Sequence, residues 1–185
     1  MLTSEKRYEE FAYVLDFLPE GKSIVIKGRE GPIIQAIGEE RLTLLELLAV
    51  EDRDFDLGEK LRIGREGRDK IVSVLGKLTY EDLTPEAKSQ LSGVCEAIVK
   101  SREAKYVAYF NDLQPLTPRL HGLELIPGIG KTFMKIIVDQ REKRPFVSFE
   151  DIQERTGLRE PAKLVAKRVV EEISGDSRIN IFIKK

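Results

Sequence analysis

The spacing of apolar residues changes once along this chain, at Thr84–Pro85, and that change separates two kinds of local structure. Before it, short apolar and β-branched runs are interrupted by turns rich in glycine and proline, as in small β-barrels. After it, apolar residues recur at helical spacing, and Thr84 is suited to cap a helix whose first residue is Pro85. The sequence therefore predicts a multidomain α+β fold, with a small β-barrel before a helical part.

Apolar runs within residues 1–83 predict the strands of this barrel, and their rhythm of short strands and turns favours an OB-like type. The runs are Phe11–Leu18, Ser23–Lys27, Pro32–Ile37, Leu42–Val50 and Leu61–Gly64. Residues 71–78 fit either a helical stripe or a closing strand, and their position after a glycine-rich turn favours the strand. Residues 179–183 also alternate like a strand, which could return to the barrel sheet.

The rest of the sequence is predicted to be helical. Residues 84–112 form a linking helical segment, and residues 113–185 form an all-α domain. In that domain, Thr117–Pro118 predicts the start of a short helix over roughly 118–125. A longer helix follows the second glycine of the segment Pro-Gly-Ile-Gly, and two more begin at Ser148 and Pro161.

Composition excludes several classes of site. Cys95 is the only cysteine and His121 the only histidine, so one chain cannot build a disulfide framework or a zinc cluster of cysteines and histidines. Cys95 is expected in the core, and His121 in a packing or capping role. No apolar run approaches the roughly 20 residues of a membrane helix, and no signal peptide is evident. A soluble, cytoplasmic protein without metal or cofactor is expected, with no membrane contact.

Charge is unevenly distributed along a chain whose formal net charge is −1. Residues 1–83 carry 13 basic and 18 acidic side chains, a balance of −5, whereas residues 113–185 carry 14 and 10, a balance of +4. A polyanion would therefore bind the carboxy-terminal part, although solvated surface charge is an equally good explanation of +4 alone. The acidic barrel is better suited to a protein partner.

One short segment supplies the strongest functional signal. Two glycines let the chain turn tightly and approach a ligand, and amides at the following helix N-terminus favour an anion. A lysine at the rim adds a charged contact with a phosphate. The residues predicted to bind nucleic acid here are Pro127, Gly128, Ile129, Gly130, Lys131, Thr132 and Lys135.

This segment resembles the helix-hairpin-helix motif, which is found in many DNA-repair and RNA-associated proteins. That motif usually has a small residue four positions after its second glycine, where this chain has Met134. The alternative explanation is a tight turn between helices, in which the glycines serve only as C-caps. The resemblance also implies that a monovalent cation could bind the hairpin carbonyls.

A second, degenerate hairpin is predicted around Gly157–Pro161, which gives a tandem arrangement. Its Glu160 adds negative charge, and Pro161 lacks an amide donor, so a second phosphate site is not favoured. Four basic residues could still form a basic face that contacts nucleic acid, and solvated surface is an equal alternative: Arg159, Lys163, Lys167 and Arg168.

Three longer segments carry a resemblance that covers almost the whole chain. They are Glu9–Asp16 (EEFAYVLD), Leu75–Thr84 (LGKLTYEDLT) and Leu120–Lys131 (LHGLELIPGIGK). In these segments the chain resembles the archaeal domain-of-unknown-function-655 family of predicted RNA-binding proteins. The resemblance implies a barrel followed by tandem hairpins and a role in binding RNA.

These observations favour a non-catalytic protein that binds the phosphate backbone of RNA or DNA, with RNA preferred. One alternative is a protein-interaction module of a ribosome-associated or repair complex, docking through the acidic barrel. A second is a metal-dependent nuclease, for which carboxylates such as Asp52 and Asp54 or Glu81–Asp82 would have to hold Mg²⁺. No pattern places those carboxylates around a substrate, so no catalytic residue is predicted.

Overall fold

The computed structural model describes residues 8–184, which form an α+β fold with two compact units. One unit comprises the chain up to Val94 together with the last residues from Ile183, and the other is Cys95–Phe182. The first contains a curled, five-stranded antiparallel half-barrel. Five α-helices are found among the described residues, and none is both long and apolar enough to cross a membrane.

The half-barrel is a sheet in which every neighbouring pair of strands is antiparallel. Its strands are β1 (Phe11–Lys22), β2 (Glu30–Gly38), β3 (Leu44–Ala49), β4 (Lys60–Arg62) and β5 (Ile71–Lys77). Their order across the sheet is β4-β1-β2-β3-β5. Bulges between Val14 and Asp16 and between Leu18 and Gly21 bend β1. The prediction that residues 71–78 form a strand is confirmed.

The central strands β2 and β3 are buried on both faces, which fits their near-continuous apolar runs. Alternate residues of one face form a single cluster, in which Val14, Ile34 and Leu47 are fully buried. On the other face, the side chain of Gln35 donates to the carbonyl of Asp82 and accepts from the amide of Thr84, at 3.0 and 2.9 Å. The segment before the first helix is therefore attached to the sheet.

The strand predicted over Ser23–Lys27 does not form. Instead β1 continues to Lys22, across the gap between the first two predicted runs, and residues 23–29 make an irregular connection to β2. The fully buried carboxylate of Glu46 accepts hydrogen bonds from the Ser23 hydroxyl and, at 2.8 Å, from the Ile24 amide. These bonds to a side chain replace a strand ladder, and they leave apolar residues of the connection exposed.

The α-helices are α1 (Pro85–Ser101), α2 (Glu103–Asp112), α3 (Lys131–Lys143), α4 (Phe149–Thr156) and α5 (Pro161–Ser174). Local capping residues set several starts. The Thr84 hydroxyl accepts from the Ala87 amide at 3.1 Å, and the Ser148 hydroxyl accepts from the Asp151 amide at 2.9 Å. Pro85 and Pro161 occupy first helical positions, where a missing amide costs no intrahelical bond. The predicted starts at Pro85, Ser148 and Pro161 are confirmed.

The prediction of an all-α domain over residues 113–185 is wrong at its beginning. Residues 118–125 do not form one helix, because a two-stranded ribbon of β6 (Pro115–Thr117) and β7 (Leu120–His121) precedes a short 3-10 helix (Gly122–Leu125). His121 caps that helix, since its Nδ1 accepts from the Leu123 amide at 3.1 Å. Pro127 disfavours helical backbone at the residue before it, so the 3-10 helix has room for only four residues.

The strand predicted over residues 179–183 does not form either. Two side chains of α5 bind the backbone of this segment. The Glu172 carboxylate accepts from the amides of Ile181 and Phe182, at 3.0 and 2.9 Å. The Arg168 guanidinium donates to the carbonyl of Ile179 at 2.5 Å. The Phe182 ring packs edge-on against Tyr109 of α2, with centroids 4.7 Å apart. Because these groups satisfy the backbone, the segment gains nothing from a strand ladder.

Candidate nucleic-acid interface

The hairpin between the 3-10 helix and α3 has two glycines with different roles. Gly128 has a φ of +88°, a left-handed conformation that favours glycine, and a Cβ there would lie 3.2 Å from a methyl group of Leu164. Gly130 has φ −96° and ψ −166°, which any residue adopts, and a Cβ there would meet nothing within 4 Å. Gly128 is therefore required by the turn, whereas neither backbone nor packing requires Gly130.

Unbonded amides mark the start of α3. Ile129, which is 4% exposed, lies between the two glycines and donates its amide to the carbonyl of Ile126 at 3.1 Å. The amides of Gly130, Lys131 and Thr132 have no hydrogen-bond partner within residues 8–184. All three residues are exposed, and α3 is 13 residues long, so the amides lie at the positive end of a full helix dipole.

Lys131, which the sequence predicts to contact phosphate at the rim of the hairpin, is already bound by two groups of the chain. Its ammonium donates to the carboxylate of Glu124 at 2.9 Å and to the carbonyl of Arg119 at 2.5 Å. The Glu124 carboxylate also accepts from the backbone amide of His121 at 2.8 Å. The His121 amide first, and the Lys131 ammonium second, hold the pKa of Glu124 below its usual value. The local charge of the Lys131 ammonium is therefore largely offset.

The single cysteine and the single histidine both have structural roles. Burial raises the pKa of the Cys95 thiol to about 12, so the thiol stays protonated at neutral pH. Burial, and then the positive charge of Arg141, lower the pKa of His121, which keeps its imidazole neutral as a helix cap. No group of three or more potential metal ligands among histidine, cysteine, aspartate and glutamate occurs in the described part of the chain.

The second hairpin repeats part of the first. Gly157 has a φ of +79° and Leu158 is 2% exposed, which correspond to Gly128 and Ile129. The repeat then fails: Glu160 is the N-cap of α5 with a left-handed φ of +47°, and its amide is bonded to the side chain of Gln153 at 3.1 Å. Pro161 has no amide to offer. The start of α5 therefore lacks the row of unbonded amides found at α3.

The first turns of α5 lie beside the first hairpin, through the contact between Leu164 and Gly128. Lys163 and Lys167 flank Leu164 and share a helix face, because residues four apart lie one above the other. Both lysines are exposed, as is Lys135 one turn into α3, and none of these three forms an ion pair within residues 8–184. Arg159 is exposed in the loop of the second hairpin. Tertiary packing thus brings cations of α5 toward the first hairpin.

A pocket of about 520 Å³ lies between the 3-10 helix, α5 and the segment after α5. Its lining residues are Leu125, Arg168, Glu171, Asp176, Ser177, Arg178 and Ile179. No local sequence pattern predicts this pocket, because Leu125 is more than 40 residues from the other lining residues. The single hint was that Leu125 immediately precedes the hairpin.

Comparison with known proteins gives a family and relatives that match over nearly the full length. Residues 8–184 match the model of a family described as protein of unknown function (DUF655). The uncharacterized protein MJ0038 of Methanocaldococcus jannaschii is 40% identical over 178 residues, covering 96% of this chain and 80% of that protein. The crystal structure of Af1531 from Archaeoglobus fulgidus is 40% identical with a TM-score of 0.83, covering 95% of this chain and 100% of the other. The chain therefore belongs to the DUF655 family.

Proposed function

We propose that this protein binds nucleic acid, RNA in the first place, by docking the phosphate backbone on the first hairpin without acting on it chemically. The observation that carries the proposal is the set of unbonded amides at three exposed residues, Gly130, Lys131 and Thr132. Amides at a helix N-terminus bind anions because their N–H groups point outward and the helix dipole is positive there. The open space at Gly130 leaves room for a phosphate to approach the backbone.

The correspondence between the two hairpins supports a tandem helix-hairpin-helix domain. In both, a left-handed glycine is followed by a buried aliphatic residue and then by a helix. The short first element of the first hairpin departs from that motif, because it is a 3-10 helix of four residues. The curled antiparallel sheet of residues 11–77 supports an OB-like barrel in the other unit.

Three exposed lysines add long-range attraction to this backbone contact. Lys135, Lys163 and Lys167 have no ion-pair partners among residues 8–184, so their charges are available to a polyanion. If each neutralises one phosphate of a single strand, the logarithm of the affinity falls with the logarithm of salt concentration at a slope of about −2. Contacts confined to phosphates give little discrimination among sequences.

Gly130→Asp tests the phosphate site directly. The introduced carboxylate would bond the unpaired amides as an N-cap and repel phosphate, so the helix keeps or gains stability while the anion site is lost. We expect affinity for short RNA and DNA oligonucleotides, measured by fluorescence anisotropy at low salt, to fall at least about tenfold, or about 1.4 kcal/mol. The matched control is Gly93→Asp, an exposed glycine of α1 in the other unit with no neighbour within 4 Å.

The comparison of these two variants decides the proposal, because they add the same charge. Equal affinities of Gly130→Asp and Gly93→Asp would refute docking at the hairpin, since the loss would then reflect net charge alone or be absent. RNA and DNA of the same sequence are compared in the same titration. Tighter binding of DNA than of RNA would still support the phosphate site, but it would contradict the proposed preference for RNA.

A second candidate function, protein interaction through the half-barrel, is favoured by exposed apolar side chains. Ile24, Val25 and Ile26 are exposed in the connection after β1, and Val72 and Val74 are exposed on the edge strand β5. Clustered exposed aliphatic residues at an open sheet edge are typical of interaction surfaces. Capture from lysate after nuclease treatment tests this function, and Ile24→Asp should weaken any partner that docks there.

A further inference from the structure

The pocket between the 3-10 helix, α5 and the following segment has the chemistry of a binding site for something other than phosphate. Its volume of about 520 Å³ lies within the usual range for small-ligand sites, roughly 300–1,000 Å³. Two carboxylates, Glu171 and Asp176, line it, and both would repel a phosphate group. A neutral group that donates hydrogen bonds fits such walls better.

The cations of the pocket are not equivalent. Arg168 is buried and already bound: its guanidinium contacts Glu172 at 3.0 Å, the Ile179 carbonyl at 2.5 Å and Glu171 at 3.7 Å. Arg178 is exposed, and no hydrogen bond or ion pair to it is found among residues 8–184. A guanidinium without a carboxylate partner is available to stack on the flat face of a base.

Apolar side chains complete the walls. Leu125 contributes from the 3-10 helix, and Ile179, which is 39% exposed, contributes from the segment after α5. A planar heterocycle needs this combination of apolar contact for its faces and polar acceptors for its edge. Carboxylates accept hydrogen bonds from the exocyclic amino groups of bases, of which the cytosine amino group is one example.

The pocket lies next to the phosphate-binding hairpin. Leu125 precedes Pro127 by two residues, and on α5 the hairpin contact Leu164 precedes the pocket residue Arg168 by four. Four helical residues correspond to about 6 Å along the axis of α5. A strand whose phosphate rests on the amides of α3 could therefore direct a neighbouring base into the pocket, provided that the base is unpaired.

We propose that this pocket binds one unpaired base with an exocyclic amino group, so that the hairpin surface prefers single strands to duplexes. The inference rests on the proposed function, because the hairpin must hold the strand that supplies the base. The carboxylates of Glu171 and Asp176 accept from the amino group, Arg178 stacks on the ring, and Leu125 and Ile179 contact its faces.

The test compares short oligocytidine and oligouridine RNA by fluorescence anisotropy at neutral pH and fixed salt, each alone and in a duplex with its complement. We expect the full-length protein to bind oligocytidine about fivefold more tightly than oligouridine, the effect of one net hydrogen bond. We also expect it to bind both single strands more tightly than the duplexes. Equal affinities for the two single strands, or tighter binding of duplexes, would overturn the inference.

Two variants assign the preference to the pocket. Removing both carboxylates with Glu171→Ala and Asp176→Ala should abolish the preference for cytosine while leaving affinity for oligouridine equal or higher, because two negative charges are gone. Arg178→Ala changes an exposed side chain, so we expect the fold to stay intact. It should weaken binding to single strands and leave binding to duplexes unchanged. A preference that persists in the carboxylate variant, or an Arg178→Ala variant that weakens duplexes equally, would overturn the pocket assignment.

The same titrations with Gly130→Asp separate this inference from the proposed function. Loss of binding to every oligonucleotide in Gly130→Asp, together with equal binding of cytosine and uracil strands by the unaltered protein, would refute the base pocket and support the hairpin. Unchanged binding in Gly130→Asp refutes hairpin docking and, with it, the inference.

Discussion

Replacing Gly128 with alanine should destabilise the unit Cys95–Phe182, by an amount that follows from two geometric facts. The left-handed backbone at φ +88° costs an L-residue about 1–2 kcal/mol. The new methyl group would lie 3.2 and 3.4 Å from the two methyl carbons of Leu164, and relieving that crowding adds up to about 1–3 kcal/mol. Because Leu164 is only half-buried, we take the lower end of both ranges, which gives a total loss of stability of about 2 kcal/mol.

Circular dichroism melts of matched variants measure this loss. For a unit of the size of Cys95–Phe182, about 2 kcal/mol corresponds to a fall in Tm of roughly 8–16 °C. Gly157→Ala has the same backbone problem, with φ +79°, but no atom within 4 Å of its Cβ position, so it isolates the backbone cost of about 1–2 kcal/mol. Gly130→Ala has neither problem and should lose only about 0.5–1 kcal/mol of capping free energy.

The geometry predicts that Gly128→Ala lowers Tm most, Gly157→Ala less and Gly130→Ala least. If Gly130→Ala lowered Tm as much as Gly128→Ala, both glycines would be structural, and the space at Gly130 would no longer indicate a ligand. If Gly157→Ala and Gly128→Ala were equally destabilised, the contact with Leu164 would contribute nothing, and the approach of α5 to the first hairpin would be in doubt.

Two further predictions concern buried titratable groups. Glu172→Ala removes the acceptor of Arg168 and of two backbone amides, and it should cost about 3–5 kcal/mol of unfolding free energy. Trypsin should then cleave the chain faster after Arg178. An unchanged cleavage rate would contradict the docking of residues 179–182. Because the pKa of His121 is lowered in the folded state, the unfolded chain binds more protons below pH 6.5. The free energy of unfolding should therefore fall as pH drops through that value, and less steeply in His121→Asn, as urea titrations would show.

Local chemistry in the sequence was enough to predict the starts of three helices and most of the sheet. Thr84, Ser148 and Pro161 act within their own first turns, so a helix start depends little on distant residues. The central strands β2 and β3 follow from apolar runs that are buried on both faces of the sheet. Gly128 was likewise visible, because its left-handed φ is a conformation that favours glycine.

The remaining features depend on contacts that no local pattern encodes. Glu46, buried in the sheet, binds the connection after β1 and prevents the strand expected at Ser23–Lys27, and Glu172 does the same for residues 179–183. The carboxylate of Glu124 neutralises Lys131, the residue with the clearest predicted phosphate contact. Packing of Leu164 on Gly128 then brings Lys163 and Lys167 toward the hairpin.

The sequence by itself thus determined where three of the helices begin and where most strands of the half-barrel lie. Only the tertiary structure decided which charges remain available at the first hairpin, because the pairing of Lys131 with Glu124 and the packing of Leu164 on Gly128 depend on how the folded elements meet. The pocket beside the hairpin is the clearest case: its walls come from Leu125 and from residues 168–179, and folding alone makes them neighbours.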